Sequence, residues 1–362
     1  MTPRALRLAG FVAFGLFAVL VFVLPGWISG FRAQQFAYVG IYLIALLGLN
    51  ILTGYTGQIS LGHGAFMAIG GYTTALLMAG NEQFGQEGLL LGIGGGMKDV
   101  WTIPIAGVVA GLFGLAFGLP ALRLSGLYLA LATFAIAVAM PSVIKRFEEF
   151  SGGGSGVNLF GLPELTAGIV PVDIAGQELV FNDWLYYLCW SIALVSFAVA
   201  WLILRGRTGR AFRAVRDSET AAVSSGVSLA RYKTLAFGIS AAYAGVAGSL
   251  FAIATTFVNP DTFPIALSIF LLVGVVVGGL GGLSGLVVGA IFIQFLPLWA
   301  QGEGVASRLP DAIVDRTKEP GAPAIIYGIV LILLMFFLPN GVGGLFRRGG
   351  QTLTRWRYSR SS

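Results

Sequence analysis

Eight stretches of this chain run for 21 residues or more without a single Asp, Glu, Lys or Arg: 8–31, 33–81, 100–122, 124–144, 184–204, 234–260, 262–302 and 320–346. A formal charge at the centre of a lipid bilayer costs several kcal/mol, so such stretches mark where a chain can cross a membrane. A helix needs about 20 residues to span roughly 30 Å of hydrocarbon. The second and seventh runs are each long enough for two crossings, which brings the expected count to ten. Each long run has an uncharged internal break, at 53–58 and at 278–285. Either break is compatible with a tight turn at the interface or with an unwound point inside the protein, so eight to eleven spans fit. Only 10% of the residues are charged, against about 25% in soluble chains, too few to clothe a water-facing surface. The expected fold class is therefore all-α, a polytopic membrane helical bundle of about ten transmembrane helices. Cytosolic enzymes, nucleic-acid-binding domains and secreted disulfide scaffolds are excluded.

The few charges are distributed unevenly. With ten spans and the N-terminus inside, the inner segments hold 15 of the 22 basic residues and only Asp217 and Glu219 of the 16 acids. By the positive-inside rule both termini are cytoplasmic. The first run follows Arg4 and Arg7 but has no convincing small-x-small cleavage site near Ser29-Gly30, and at 24 residues it exceeds a signal-peptide core, so it reads as an uncleaved helix. Residues 1–346 form one expected transmembrane domain, with the inner loop 205–233 inside it, and 347–362 a basic, disordered cytoplasmic tail. The single cysteine, Cys189, leaves no disulfide or cysteine-based metal site within the chain and reads as a small packing residue.

Absences narrow the chemistry. No Gly-Lys pair occurs, so there is no P-loop, and His63 is the only histidine. The spans carry no carboxylate or lysine at their centres, which removes the groups that ion-coupled transporters and proton pumps place there. No cofactor and no metal is expected. Glycines recur at four-residue spacing at 107/111, 114/118, 274/278/282 and 281/285/289. Such faces serve close helix packing; for the 262–302 pair a sharper expectation is contact with a partner subunit or sliding during gating.

The loop 205–233 is the one long inner loop. Arg210, Arg213 and Arg216 recur every third residue on one face, beside Phe212 and Val215. A short-helix signature follows, with Ser218 as N-cap, Glu219 in the first turn, Ala221 and Ala222 in the body and Gly226 as the stop. Anionic lipid headgroups account for some of the arginines. A separately capped two-turn helix displaying alanines suits docking into a groove on a soluble partner.

The residues Thr220-Ala221-Ala222-x-x-x-Gly226 resemble the Glu-Ala-Ala-x-x-x-Gly coupling loop of bacterial ATP-binding-cassette (ABC) importer permeases. Residues 209–217 (GRAFRAVRD) followed by 232–237 (YKTLAF) resemble the branched-chain amino acid permease family. The segment 49–67 (LNILTGYTGQISLGHGAFM) is similar to that family's long signature, and 337–341 (FLPNG) to its C-terminal end. The matches spread over about residues 33–346, and the arrangement is similar to the larger, LivM-type subunit. One departure is Thr220 where the generic motif has its first acid, with Glu219 one place earlier. The resemblance implies a heteromeric permease in a bacterial cytoplasmic (inner) membrane. Its partners are a second, homologous permease, two cytoplasmic ATP-binding subunits and an external solute-binding protein; nucleic acid is not among them. It also implies that Arg210, Arg213, Arg216, Glu219, Ala221, Ala222 and Gly226 make the coupling contact, and that the chain is no enzyme itself.

Asn50, Thr53, Tyr55, Thr56, Gln58, Ser60 and His63 form the densest polar group in this apolar chain. They read either as a lining or gate of the translocation path, binding a zwitterionic solute without fixed charge, or as a turn between spans with His63 satisfied by a backbone carbonyl. Outer residues 147–183 hold six acids and no Lys or Arg, a charge pattern suited to a docking protein and equally to topology alone. The leading expectation is an importer subunit for branched-chain or related amino acids. Urea or short amides are alternatives within the family. A passive small-solute channel is the alternative of another class. A lipid-modifying enzyme lacks its clustered acids or histidines.

Overall fold

The computed structural model describes residues 15–27, 30–79, 97–124, 126–160, 162, 165–166, 172–174, 177–300, 328–329, 332–333, 336, 341 and 344. Residues 15–23 are helical. Helix α1, Gly30–Leu49, continues into a π-helical turn, Asn50–Tyr55. There follow α2 (His63–Met78), α3 (Asp99–Ala121), α4 (Leu127–Arg146), α5 (Phe181–Arg205), α6 (Arg207–Asp217), α7 (Glu219–Ser224), α8 (Leu229–Thr255), α9 (Ile265–Gly278) and α10 (Leu286–Ala300).

Among the described residues, six helical segments are long and apolar enough to cross a membrane: Gly30–Tyr55, Asp99–Ala121, Leu127–Arg146, Phe181–Arg205, Leu229–Thr255 and Pro260–Gly278. The chain is thus a polytopic helical protein. Both long charge-free runs divide into two helices, α1/α2 and α9/α10, with the second member shorter than a full span in each case. Most of the last run, the loop 303–319 and the basic tail lie outside the described residues.

These helices are apolar on every side, so residue size sorts inward from outward faces. On α3, Ala106, Gly107, Ala110, Gly111, Gly114 and Gly118 are buried, while Trp101, Val108, Leu112 and Leu119 point out. The small face lies on α8: a Cβ at Gly111 would stand 3.2 Å from that of Ala242, and one at Gly118 3.1 Å from the Cα of Thr234. Where α2 crosses α8, Gly70 meets the backbone of Gly245 and Gly248 the carbonyl of Met67, too close for any Cβ. Thr74 and Ser249 bridge the same crossing with a 2.5 Å hydroxyl contact. The most buried spans are therefore α1 and α8, while α4 and α5 lie at the periphery. The glycines of the 262–302 pair are used differently from the expectation of a partner subunit. Gly274 faces Ile293, Gly278 faces Gly285 and Leu286, and Gly289 faces the carbonyl of Gly274, so the close approach lies within the α9/α10 pair.

The bundle has two unlike ends. At one, α6 lies against the α1–α2 break and, through Arg216, reaches the α9–α10 break, while α7 packs on α6 and α8. At the other, four strands of two or three residues accompany the otherwise helical fold. β1 (Val157–Asn158) pairs antiparallel with β4 (Phe257–Val258), and β2 (Val172–Ile174) with β3 (Gln177–Leu179). There Lys145 at the end of α4 also meets Asp261 at 3.0 Å, and buried Asp99 accepts from the backbone N–H and hydroxyl of Thr166 and from the backbone N–H of Val100.

Candidate functional site

The arm formed by α6 and α7 follows from its sequence. In α6, Val215 lies three and four residues after Phe212 and Ala211, and all three are buried, with the Phe212 ring edge-on to Tyr232 of α8 at 6.3 Å. The intervening arginines face elsewhere. Arg210 is exposed. Arg213 donates from Nη1 to the carbonyl of Leu204 at 3.3 Å, satisfying an orphan acceptor at the end of α5. At that same end Arg205 stacks over the Trp201 ring, 3.7 Å from its centroid, an interfacial anchor. Arg216 donates from Nη1 to the carbonyl of Gly54 at 2.5 Å.

Helix α7 is closed at both ends as expected. The Ser218 hydroxyl accepts from the Ala221 N–H at 3.3 Å. At the far end Gly226 sits at φ +81°, with its N–H on Val223 O and that of Val227 on Ala222 O, the two bonds of a Schellman stop. Its faces differ from a uniform alanine display. Ala222 is buried, and Thr220, Ala221, Val223 and Ser224 are exposed. Val223, 54% exposed, is the apolar group that the arm offers outward, and the alanine spacing had hidden it. Glu219 turns back to Lys233 of α8 at 2.7 Å. Of the seven candidate coupling residues, Glu219, Ala221, Ala222 and Gly226 shape α7, Arg213 and Arg216 are bound to carbonyls of the chain itself, and Arg210, exposed on α6, has no hydrogen bond or ion pair among the described residues.

The polar segment 50–63 lies at this same end. The π-helical turn slips the regular ladder, and nearby side chains bind the displaced backbone groups. Thr56 Oγ1 donates to Leu52 O at 2.5 Å, Thr53 Oγ1 to Gln58 O at 3.1 Å, and the Gly62 N–H donates to Ser60 Oγ at 3.3 Å. Asn50, fully buried, reaches across the bundle. Its Nδ2 donates to Gly282 O and its Oδ1 accepts from the Gly281 N–H, both at 3.0 Å. Two further cross-links fix the start of α2: Leu61 N–H to Thr133 Oγ1 at 2.9 Å, and Gly64 N–H to Ser268 Oγ at 2.8 Å. Tyr55 packs half-buried against the core. Among the described residues, Gln58 and His63 are the members of this segment that keep a buried nitrogen, Nε2 in each, without a hydrogen-bond partner, and His63 lies beside Gly48 of α1. The segment is thus a helix break whose hydroxyls and Asn50 serve the backbone, leaving the amide of Gln58 and the imidazole of His63 for any further polar contact.

Sequence reasoning named the two breaks separately and the arm separately; the structure brings all three together. Gly281, Gly282, Thr133, Ser268 and Lys233 escaped it as site residues. Gly341, at the end of the C-terminal motif, also arrives here: a Cβ on it would stand 2.6 Å from the Cα of Gly279. The other motif residues, 337–340, lie outside the described set. Among the described residues no group of three metal-ligating side chains occurs.

Comparison with known proteins agrees with this geometry. Residues 31–338 match the family described as the branched-chain amino acid transport system / permease component. The chain is 35% identical over 317 residues to the high-affinity branched-chain amino acid transport system permease protein LivM of Escherichia coli, covering 83% of this chain and 67% of that protein. It is 24% identical over 310 residues to LivH of the same organism, covering 84% and 91%. It is 23% identical over 340 residues to a probable LivM of Methanocaldococcus jannaschii, covering 84% and 90%. No solved structure matches.

Proposed function

The chain belongs to the branched-chain amino acid transport system permease family, and from that membership we propose that it is the LivM-type membrane subunit of an ABC importer for branched-chain amino acids. It works beside a second, homologous permease, takes its energy from two cytoplasmic ATP-binding subunits and receives solute from an external binding protein. Both termini are cytoplasmic, the membrane is the bacterial inner membrane, and about ten spans from residues 1–346 make one permease domain.

One observation carries this reading: α7, a helix capped at both ends, stands on the amphipathic α6 with Thr220, Ala221, Val223 and Ser224 turned outward. A channel working alone has no use for such a projection, whereas a subunit without a nucleotide site needs a surface that receives force. Closure of the ATP-binding subunits displaces α7, and α6 passes the displacement to the inner ends of the spans. The buried nitrogens of Gln58 and His63 are the groups in 50–63 best placed to meet a passing zwitterion.

Copurification with the ATP-binding subunits tests the contact. Val223→Arg is expected to abolish it while leaving the membrane chain folded, since Val223 touches little of its own protein. Uptake by the purified chain alone, in liposomes without ATP, overturns the importer in favour of the channel. ATP-driven uptake of leucine, isoleucine or valine, compared with urea and short amides, identifies the solute class.

A further inference from the structure

The side chain of Arg216 lies in a seat made by three glycines from two different helix breaks. Its stem runs past Gly57, where a Cβ would stand 3.4 Å from Arg216 Cγ. Its Nη1 bonds Gly54 O, and the same nitrogen lies 2.8 Å from where a Cβ on Gly281 would be. Gly57 and Gly281 have φ of +74° and +72°, a conformation that L side chains adopt only with strain, so the seat stays open. Gly54 belongs to the π-helical turn at the end of α1, and Gly281 to the α9–α10 turn. Asn50 ties those two turns to each other through Gly281 and Gly282.

Arg216 stands two residues before Ser218, the cap of α7, so any displacement of α7 reaches it at once. Its guanidinium forms no ion pair among the described residues; one hydrogen bond to a carbonyl holds it, on a residue otherwise open to solvent. A lone charge-assisted bond at a wet edge holds a position firmly and is broken and remade cheaply.

Resting on the importer reading above, we propose that Arg216 is a latch, a positioning residue that locks the coupling arm to both helix breaks in this conformation and transmits the arm's displacement to the inner ends of α1, α9 and α10. The seven sequence-derived coupling residues then divide by role. The outer face of α7 receives the force, and Arg216 delivers it inward.

The test uses the assembled complex in proteoliposomes with its binding protein, measuring solute moved per ATP hydrolysed. Arg216→Ala is expected to leave assembly and basal ATP hydrolysis within about twofold of wild type while transport per ATP falls about tenfold, the scale of a typical coupling free energy. Arg216→Lys, which keeps a cationic donor, is expected to recover most of the loss. Gly281→Ala, which fills the seat from the other break, is expected to uncouple as Arg216→Ala does, and it decides the matter if the alanine variant fails to assemble. An unchanged ratio in both variants overturns the latch, as does a parallel fall of ATP hydrolysis and transport with no recovery in Arg216→Lys. A wild-type complex without ATP-driven uptake overturns the importer reading itself, a result separate from any variant.

Discussion

Lys233 and Glu219 join the arm to the most central part of the bundle through a 2.7 Å ion pair that is buried on one side and open on the other, their side chains being 10% and 49% exposed. The lysine is the committed partner. Removing the carboxylate strands an ammonium that has already left water.

Glu219→Ala is accordingly expected to loosen α7 by about 1–2 kcal/mol, between the small worth of surface pairs and the larger cost of breaking buried ones. Faster amide hydrogen exchange confined to 219–226, with the membrane helices unaffected, is the readout. Equal exchange in the variant refutes the tether.

Asn50→Ala removes two hydrogen bonds and leaves the Gly281 N–H and the Gly282 carbonyl unpaired in the bundle. Polar bonds between membrane helices average about 0.6 kcal/mol, and stranded backbone groups add to that, so unfolding in detergent is expected about 1–2 kcal/mol easier. A denaturation midpoint equal to wild type would show the bridge to be inert.

Gly70→Ala places a methyl group on the backbone of Gly245, where no side chain can yield. Overpacking of this kind costs about 1–3 kcal/mol or more, and membrane expression of the folded chain is expected to drop sharply. Gly15→Ala, with nothing within 4 Å of the new methyl group, is expected to be neutral and serves as control.

At the opposite end of the bundle, burial separates two contacts that sequence would rank alike. Asp99 is fully buried and accepts two bonds from Thr166, so Asp99→Ala is expected to release that segment, read as new protease sensitivity near residue 166. Lys145 and Asp261 are 45% and 71% exposed, and Lys145→Ala is expected to change stability by about 1 kcal/mol at most.

Charge scarcity and cap chemistry made much of this legible before the structure. The runs bounded the spans because membranes penalise charge. Ser218 and Gly226 bounded α7 because helix ends need donors and acceptors satisfied locally. What stayed hidden depends on direction rather than spacing. Ala221 and Ala222 are neighbours in sequence and face opposite ways. Arg216 shares the spacing of Arg210 yet points at the bundle. The bond partners of Asn50 lie more than 230 residues away, in a run of glycines that carries no side-chain signal at all. The glycine faces of α9 and α10 were legible as faces, but whether a neighbour or a partner would fill them depended on tertiary packing.

The Asn50 bridge also sets a timetable for biogenesis. Its amide enters the bilayer with α1, but Gly281 and Gly282 are made only after some 232 further residues. At about 5–20 residues per second, that is roughly 10–50 s during which a buried amide waits for its final partners. Through that interval the nascent chain lacks the tie between its two helix breaks, and a transcript that stops short of position 281 never acquires it. Translation speed across α9, and any chaperone that shelters the early helices, therefore bear directly on how much permease matures.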